Sequence, residues 1–295
     1  MPTQVPHDHE TPGALERIAD DPHNRKKFLS MAGVGAAGAL SVFLAACGDE
    51  SPAENDNADS GGDLGLFDWE RNAATIVARL DSLPDQESAA LITNSIPPCT
   101  LWGDGRVVWT TRDDSGAEAV LEARIDEVTM RGFLEDIINR GFYDWEDEMI
   151  PPSTVDPVIE SITISLYDEV RTVRRYSNWP QNSFARILAN CQTLSDQPVL
   201  VQPTAGWISA YPIPRDTMAP SWPWPANAPF ALQELTENGE SRWLEGSLAT
   251  EVWLSAREDR GDIQVIERND AAYQVAIAVP GYSRDAALPP EDTSP

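Results

Sequence analysis

Histidine and lysine are almost missing from this 295-residue chain, and both vanish after position 46. His7, His9 and His23 are the only histidines, and Lys26 and Lys27 the only lysines. Without an imidazole, the remaining body cannot assemble a serine or cysteine triad of the usual kind, nor a histidine-ligated zinc or copper centre. Without a lysine it can form neither a Schiff base nor a Ser-Lys dyad. No Walker-type phosphate loop or dinucleotide fingerprint occurs. The expectation is therefore no catalytic constellation, no metal ligands and no cofactor.

Positive charge is scarce as well: 48 acidic residues face 21 basic ones, a net charge of −27. Beyond position 46 the balance is 43 Asp and Glu against 17 Arg. Such a body lacks the basic face that phosphates demand, which excludes nucleic acid as a partner. Anionic headgroups repel it too, so any membrane attachment requires a covalent or inserted anchor. Acidity with so little lysine also suits a salt-rich habitat. The hydrophobic fraction of 41%, with 24 prolines and 10 tryptophans, describes a globular body with long irregular connections.

What is present starts at the N-terminus. A polar stretch leads to `RKKFLS` at Arg25 to Ser30, and Phe28 to Ala46 then gives 19 uncharged residues ending in `LAAC`. The positive charges stay on the cytoplasmic side while the uncharged run enters the bilayer. Gly33, Gly35 and Gly38 keep that run only mildly apolar, as in a signal peptide; an uncleaved membrane helix is the alternative. Leu44, Ala45, Ala46 and Cys47 resemble the lipobox of bacterial lipoproteins, an aliphatic residue and two small residues before an invariant cysteine. The resemblance implies cleavage before Cys47, a diacylglyceryl thioether on its sulfur, and a body facing outside the cytoplasm, attached to the membrane through that lipid. `NRKKFLS` also resembles a twin-arginine export motif through Arg25, Phe28 and Leu29, but Lys26 stands where that family has its second arginine, so the Sec route stays open.

Five segments are expected. Residues 1–46 are the signal peptide and 47–65 a disordered acidic tether, too poor in apolar residues to order itself. Asp56, Asp59 and Asp63 miss the spacing of an EF-hand loop. Residues 66–197 form an α+β domain, 198–282 a C-terminal extension or subdomain, and 283–295 a disordered tail.

Within the body, `SAALITNS` and `CTLWGDGRVVWTT` alternate as strands, and Asp104-Gly105 reads as a hairpin turn in which both positions tolerate positive φ. `AEAVLEARI` supplies another strand. Asp126 then offers an N-cap to a helix whose apolar face is Val128, Met130, Phe133, Leu134, Ile137 and Ile138, with Gly141 as its stop. `VIESITISLY` and `EVRTVRRYS` form a second hairpin, and `NSFARILANCQTL` a second helix capped by Asn182 or Ser183. Strands at `VLVQPTA` and `GWISAYPI`, a short helix near 248–256 and a closing hairpin of `DIQVIE` and `AAYQVAIAVPGY` complete the body. Short hairpins without crossover helices argue for an α+β fold of antiparallel sheets, with two to three amphipathic helices packed on one face. The `S.PPC.L.GDGRV` hairpin, followed by a helix ending in `GF`, resembles uncharacterised domains of bacterial lipoproteins over residues 88–195, and that resemblance brings no function with it.

Three sets of residues remain as candidates. Cys99 and Cys191 are the two cysteines left after lipidation, and an oxidising compartment predicts a disulfide between them, two separate thiols being the alternative. Trp222 and Trp224 in `PSWPWP` suit binding of a glycan or an envelope protein if an extended segment exposes them, and form a lid on apolar surface if it folds back. Asp144, Glu146, Asp147 and Glu148 beside Tyr143 and Trp145 could supply paired carboxylates, although a solvated acidic loop is the plainer reading. The leading expectation is a non-enzymatic interaction or accessory module of the cell envelope. A carboxylate-based hydrolase or carbohydrate-binding protein is the alternative.

Overall fold

In the computed structural model the described residues are 67–84, 87–147, 157–167, 169–258, 264–267, 269–284 and 286–290. They form two sheets with helices on and between them, an α+β fold of largely antiparallel pairing. In chain order the elements are β1 (Ile76–Pro84), α1 (Ala89–Asn94), β2 (Cys99–Trp102), β3 (Arg106–Arg112), β4 (Glu118–Arg124), α2 (Glu127–Asn139), β5 (Val158–Leu166) and β6 (Glu169–Arg175). There follow α3 (Ser183–Cys191), β7 (Val199–Leu200), β8 (Ala205–Ile213), β9 (Ser221–Pro223), α4 (Leu232–Asn238), β10 (Arg242–Glu245), α5 (Ser247–Glu258), β11 (Gln264–Ile266) and β12 (Ala272–Ala278).

The first sheet runs β6-β5-β1-β2-β3-β4-β7, every neighbour antiparallel. Its β2–β3 turn uses a left-handed conformation only at Gly105, φ 80°, where a Cβ would meet the Ile125 carbonyl at 2.4 Å. Asp104 needs no positive φ. On one face α2 and α3 cover Leu80, Leu101, Trp109, Ile162 and Ile164. Asp126 caps α2 as expected, its carboxylate accepting from Thr129 N at 2.8 Å. Val128, expected on the apolar face of α2, is 80% exposed instead; Met130, Phe133, Leu134 and Ile137 carry that face.

Alternate residues of the same strands face the other way. Val108 and Val120 join a second core with Trp253 and Val252 of α5 and Ile208 and Ile277 of the second sheet. Both faces of the first sheet are thus apolar, which is why β3 and β4 read as nearly continuous hydrophobic runs. The second sheet runs β10-β8-β12-β11-β9 and holds one parallel pair, β9 with β11.

Three further expectations need correction. `SAALITNS` is not a strand: Ser88 accepts from Leu91 N at 3.3 Å and starts the helix α1. Asn182 occupies the N-cap position of α3 in a left-handed conformation without a side-chain cap bond. The expected disordered tail does not begin at Ser283. Ser283 is buried with its hydroxyl accepting from Val279 N at 2.9 Å, and Arg284 Nε donates to Asp81 Oδ2 at 2.8 Å. Those two residues belong to the fold.

Candidate functional site

Leu44, Ala45, Ala46 and Cys47, together with Arg25, Lys26, Phe28 and Leu29, lie outside the described residues. Where the chain enters the body, Trp69 is buried beneath Arg71 and Arg131, whose guanidinium carbons stand 4.8 and 4.9 Å from its ring centroid. Its indole donates to the Gly103 carbonyl at 3.3 Å. This fastens the entering segment to the β2–β3 turn of the first sheet.

Cys99, at the start of β2, and Cys191, at the end of α3, form a disulfide with a Cα separation of 6.4 Å. It sits inside the first core and ties helix to sheet across 92 positions. Trp222 and Trp224 behave differently from one another. Trp222 is half-buried in β9, while Trp224 is 6% exposed in the second core and donates to the Phe230 carbonyl at 2.9 Å. Proline spacing here produces an edge strand folded onto apolar surface. In the acidic loop, Trp145 is buried, Asp147 accepts from the backbone of Arg174 at 2.5 Å, and Glu148 is outside the described residues.

A cleft of about 450 Å³ opens where the first sheet is incomplete. β1 runs on to Pro84 and β3 to Arg112, but β2 between them starts only at Cys99, leaving a slot as wide as one strand. Side chains fill the missing positions. Ser82 N donates to Asp81 Oδ1 at 2.8 Å, the Ser82 carbonyl accepts from Arg284 Nη2 at 3.4 Å, and the Thr110 carbonyl from Gln192 Nε2 at 3.0 Å. Pro84 has no N–H to offer. Backbone that could have paired with an incoming strand is engaged already.

A second cleft of about 440 Å³ shares Arg257 with the first. Arg257 and Glu118 are 3% and 1% exposed and meet at 2.6 Å, with the Asn94 carbonyl accepting from the same guanidinium and the Trp253 ring 4.4 Å away. Arg112 approaches Glu118 at 3.8 Å. One buried carboxylate therefore draws together β3, β4 and α5. A comparable knot forms at Glu122, which accepts from Tyr282 Oη at 2.8 Å and from Arg106 at 3.2 Å, while Arg106 covers the Trp102 ring at 3.8 Å. Burial, and then the hydrogen bond to Glu122, push the Tyr282 phenol up to about 12, so it serves as a donor and not as a base. Burial likewise raises the Glu160 carboxyl above its ordinary value.

Sequence reasoning missed both arginine–carboxylate knots. Apart from Arg112, six positions from Glu118, their members lie 16 to 160 positions apart, and in a chain so rich in acids no local spacing marks Glu118 or Glu122 as special. Among the described residues no group of three or more His, Cys, Asp or Glu could hold a metal ion, and no helix is long and apolar enough to cross a membrane. No known protein family matches the chain, and comparison with curated proteins and with solved structures found no match either.

Proposed function

We propose that this chain is an extracytoplasmic lipoprotein, held to the membrane by a lipid on Cys47, whose folded body serves as a non-enzymatic interaction module of the cell envelope. The observation that carries the reading is the order of the N-terminal segments: positive charge, uncharged run, `LAAC`, then an acidic, apolar-poor linker leading directly into a sealed α+β body. Each step has a separate physical task, and their succession is more specific than the lipobox alone.

Two features support interaction over catalysis. After Cys47 the chain holds no histidine and no lysine, leaving carboxylates and tyrosines as the main proton-transfer groups. Among the described residues the most deeply placed carboxylate, Glu118, is committed to Arg257 and to joining the two sheets.

Intact-mass analysis of the protein extracted from its native membrane tests the reading. Loss of residues 1–46 together with a mass increment for acyl chains on Cys47 is expected, and a Cys47→Ala chain should be unlipidated and released from the membrane. An intact N-terminus carrying no lipid, or a Cys47→Ala chain retained and sized like the wild type, rejects it.

A further inference from the structure

The outward face of the second sheet carries a tryptophan pair that the reading above does not use. Trp207 of β8 and Trp243 of β10 stand directly opposite one another, their rings 5.4 Å apart and edge to face. They alternate with Ile208 and Leu244, which enter the second core, so the indoles lie on the opposite side of the sheet. Beside them are small side chains: Ala278 faces Trp207 on β12, and Ser209 is next along that face of β8. Trp243 turns its N–H to Glu245 at 2.8 Å. Trp207 turns its own elsewhere.

The Trp207 indole N–H is shared by two consecutive backbone carbonyls of the chain's tail, Ala287 at 3.1 Å and Leu288 at 3.2 Å. The backbone of that tail is restricted by its sequence. Pro289 and Pro290 hold φ near about −65°, and Leu288, preceding a proline, is confined to extended conformations. An extended segment with outward carbonyls, met by an indole donor in an aromatic pair, is the arrangement by which proline-containing peptides are recognised. The seated segment is lightly held: residues 287–290 are all exposed, Leu288 by 82%. Close upstream, Arg284 is gripped by Asp81 and the Ser95 carbonyl, which keeps the tail within reach of Trp207.

We infer that the Trp207–Trp243 face is a docking site for an extended, proline-containing segment of a partner protein, and that residues 286–290 of this chain occupy it in the free molecule. The inference deepens the interaction reading by naming the surface and the chemistry of its partner. A short leash gives the tail a local concentration on the order of millimolar, so only a partner confined nearby, as on the same membrane, displaces it.

The test compares the mature chain with one ending at Arg284, using a synthetic peptide of residues 285–295 as the probe and the Trp207 indole N–H resonance as the readout. The shortened chain should bind the peptide and shift that resonance. The intact chain should bind about tenfold more weakly, its site being taken. Trp207→Phe in the shortened chain should abolish binding, with an unchanged thermal midpoint confirming that it folds; if it does not fold, a peptide with Pro289→Gly and Pro290→Gly replaces it, and that peptide should bind at least fivefold more weakly. No binding to the shortened chain, equal binding by both chains, or a Trp207 shift produced by soluble oligosaccharides and not by the peptide overturns the inference. None of these results bears on the lipid at Cys47, which mass analysis reads separately.

Discussion

A single buried carboxylate decides how firmly the two sheets are joined. Glu118 and Arg257 are almost wholly removed from water, so deleting either charge strands the other. Glu118→Gln or Arg257→Met should therefore cost about 3–5 kcal/mol in urea unfolding, whereas the double replacement Glu118→Leu with Arg257→Met should cost much less. If the double variant is as unstable as the sum of the singles, the two residues do not act as a pair. Tyr282 offers a reading against pH. The folded protein holds its phenol protonated up to about 12 against an ordinary value of 10.0, so its contribution is complete below pH 10 and fades as the pH rises through the folded value. Tyr282→Phe should lose about 1.5–3 kcal/mol at neutral pH and flatten the decline above pH 10. Equal alkaline slopes in the two proteins would reject the assignment.

At the scale of elements, the disulfide fastens α3 to β2. Replacing both Cys99 and Cys191 by alanine should lower stability by about 4–5 kcal/mol in the chain-entropy model, since the loop spans 92 positions. α4 has a less obvious support. Its first N–H groups, those of Leu232 and Gln233, donate at 2.6 and 3.2 Å to the carboxylate of Glu267, just beyond β11. Glu267→Ala should cost about 1 kcal/mol, with local hydrogen exchange of the first turn of α4 rising before the global transition moves.

Elements with a clean period were legible in the sequence: α2 from its cap and stripe, β3 and β4 from the turn between apolar runs, and the β5–β6 and β11–β12 hairpins. Others were masked by their surroundings. β1 is central and buried on both faces, so Val77, Ala78 and Leu80 do not alternate, and it went unread. α1 has only six residues, less than two turns, and its place is fixed by Asn94 contacting a strand 181 and 183 positions later. α4 was missed because its N-cap position is Ala231, which has no capping oxygen; the oxygen comes from Glu267 instead. Of the candidate residues, the cysteine pair was readable because the chain offers so few cysteines. Trp207 and Trp243 were not singled out, since nothing in their neighbourhood announces that a tail far downstream lies against them.

For the molecule as a whole, the connections that matter run between remote parts of the chain. Asn94 finishes the edge of β12 beyond the end of β11, its amide oxygen accepting from Ile277 N at 2.9 Å and its nitrogen donating to the Val275 carbonyl at 3.1 Å. Arg284 closes the slot in the first sheet from 203 positions away. The two sheets should consequently unfold in one transition, with fluorescence and far-ultraviolet circular dichroism giving coincident midpoints; separated midpoints would identify two independent domains.

The slot plugged by Arg284 also sets an order of events. The strands flanking it, β1 and β3, are among the first parts of the body to be synthesised, and the guanidinium that completes them lies 203 positions beyond Asp81. A growing chain thus carries an unfinished seam until Arg284 has emerged. Whatever guards the emerging polypeptide has to shield that seam until then.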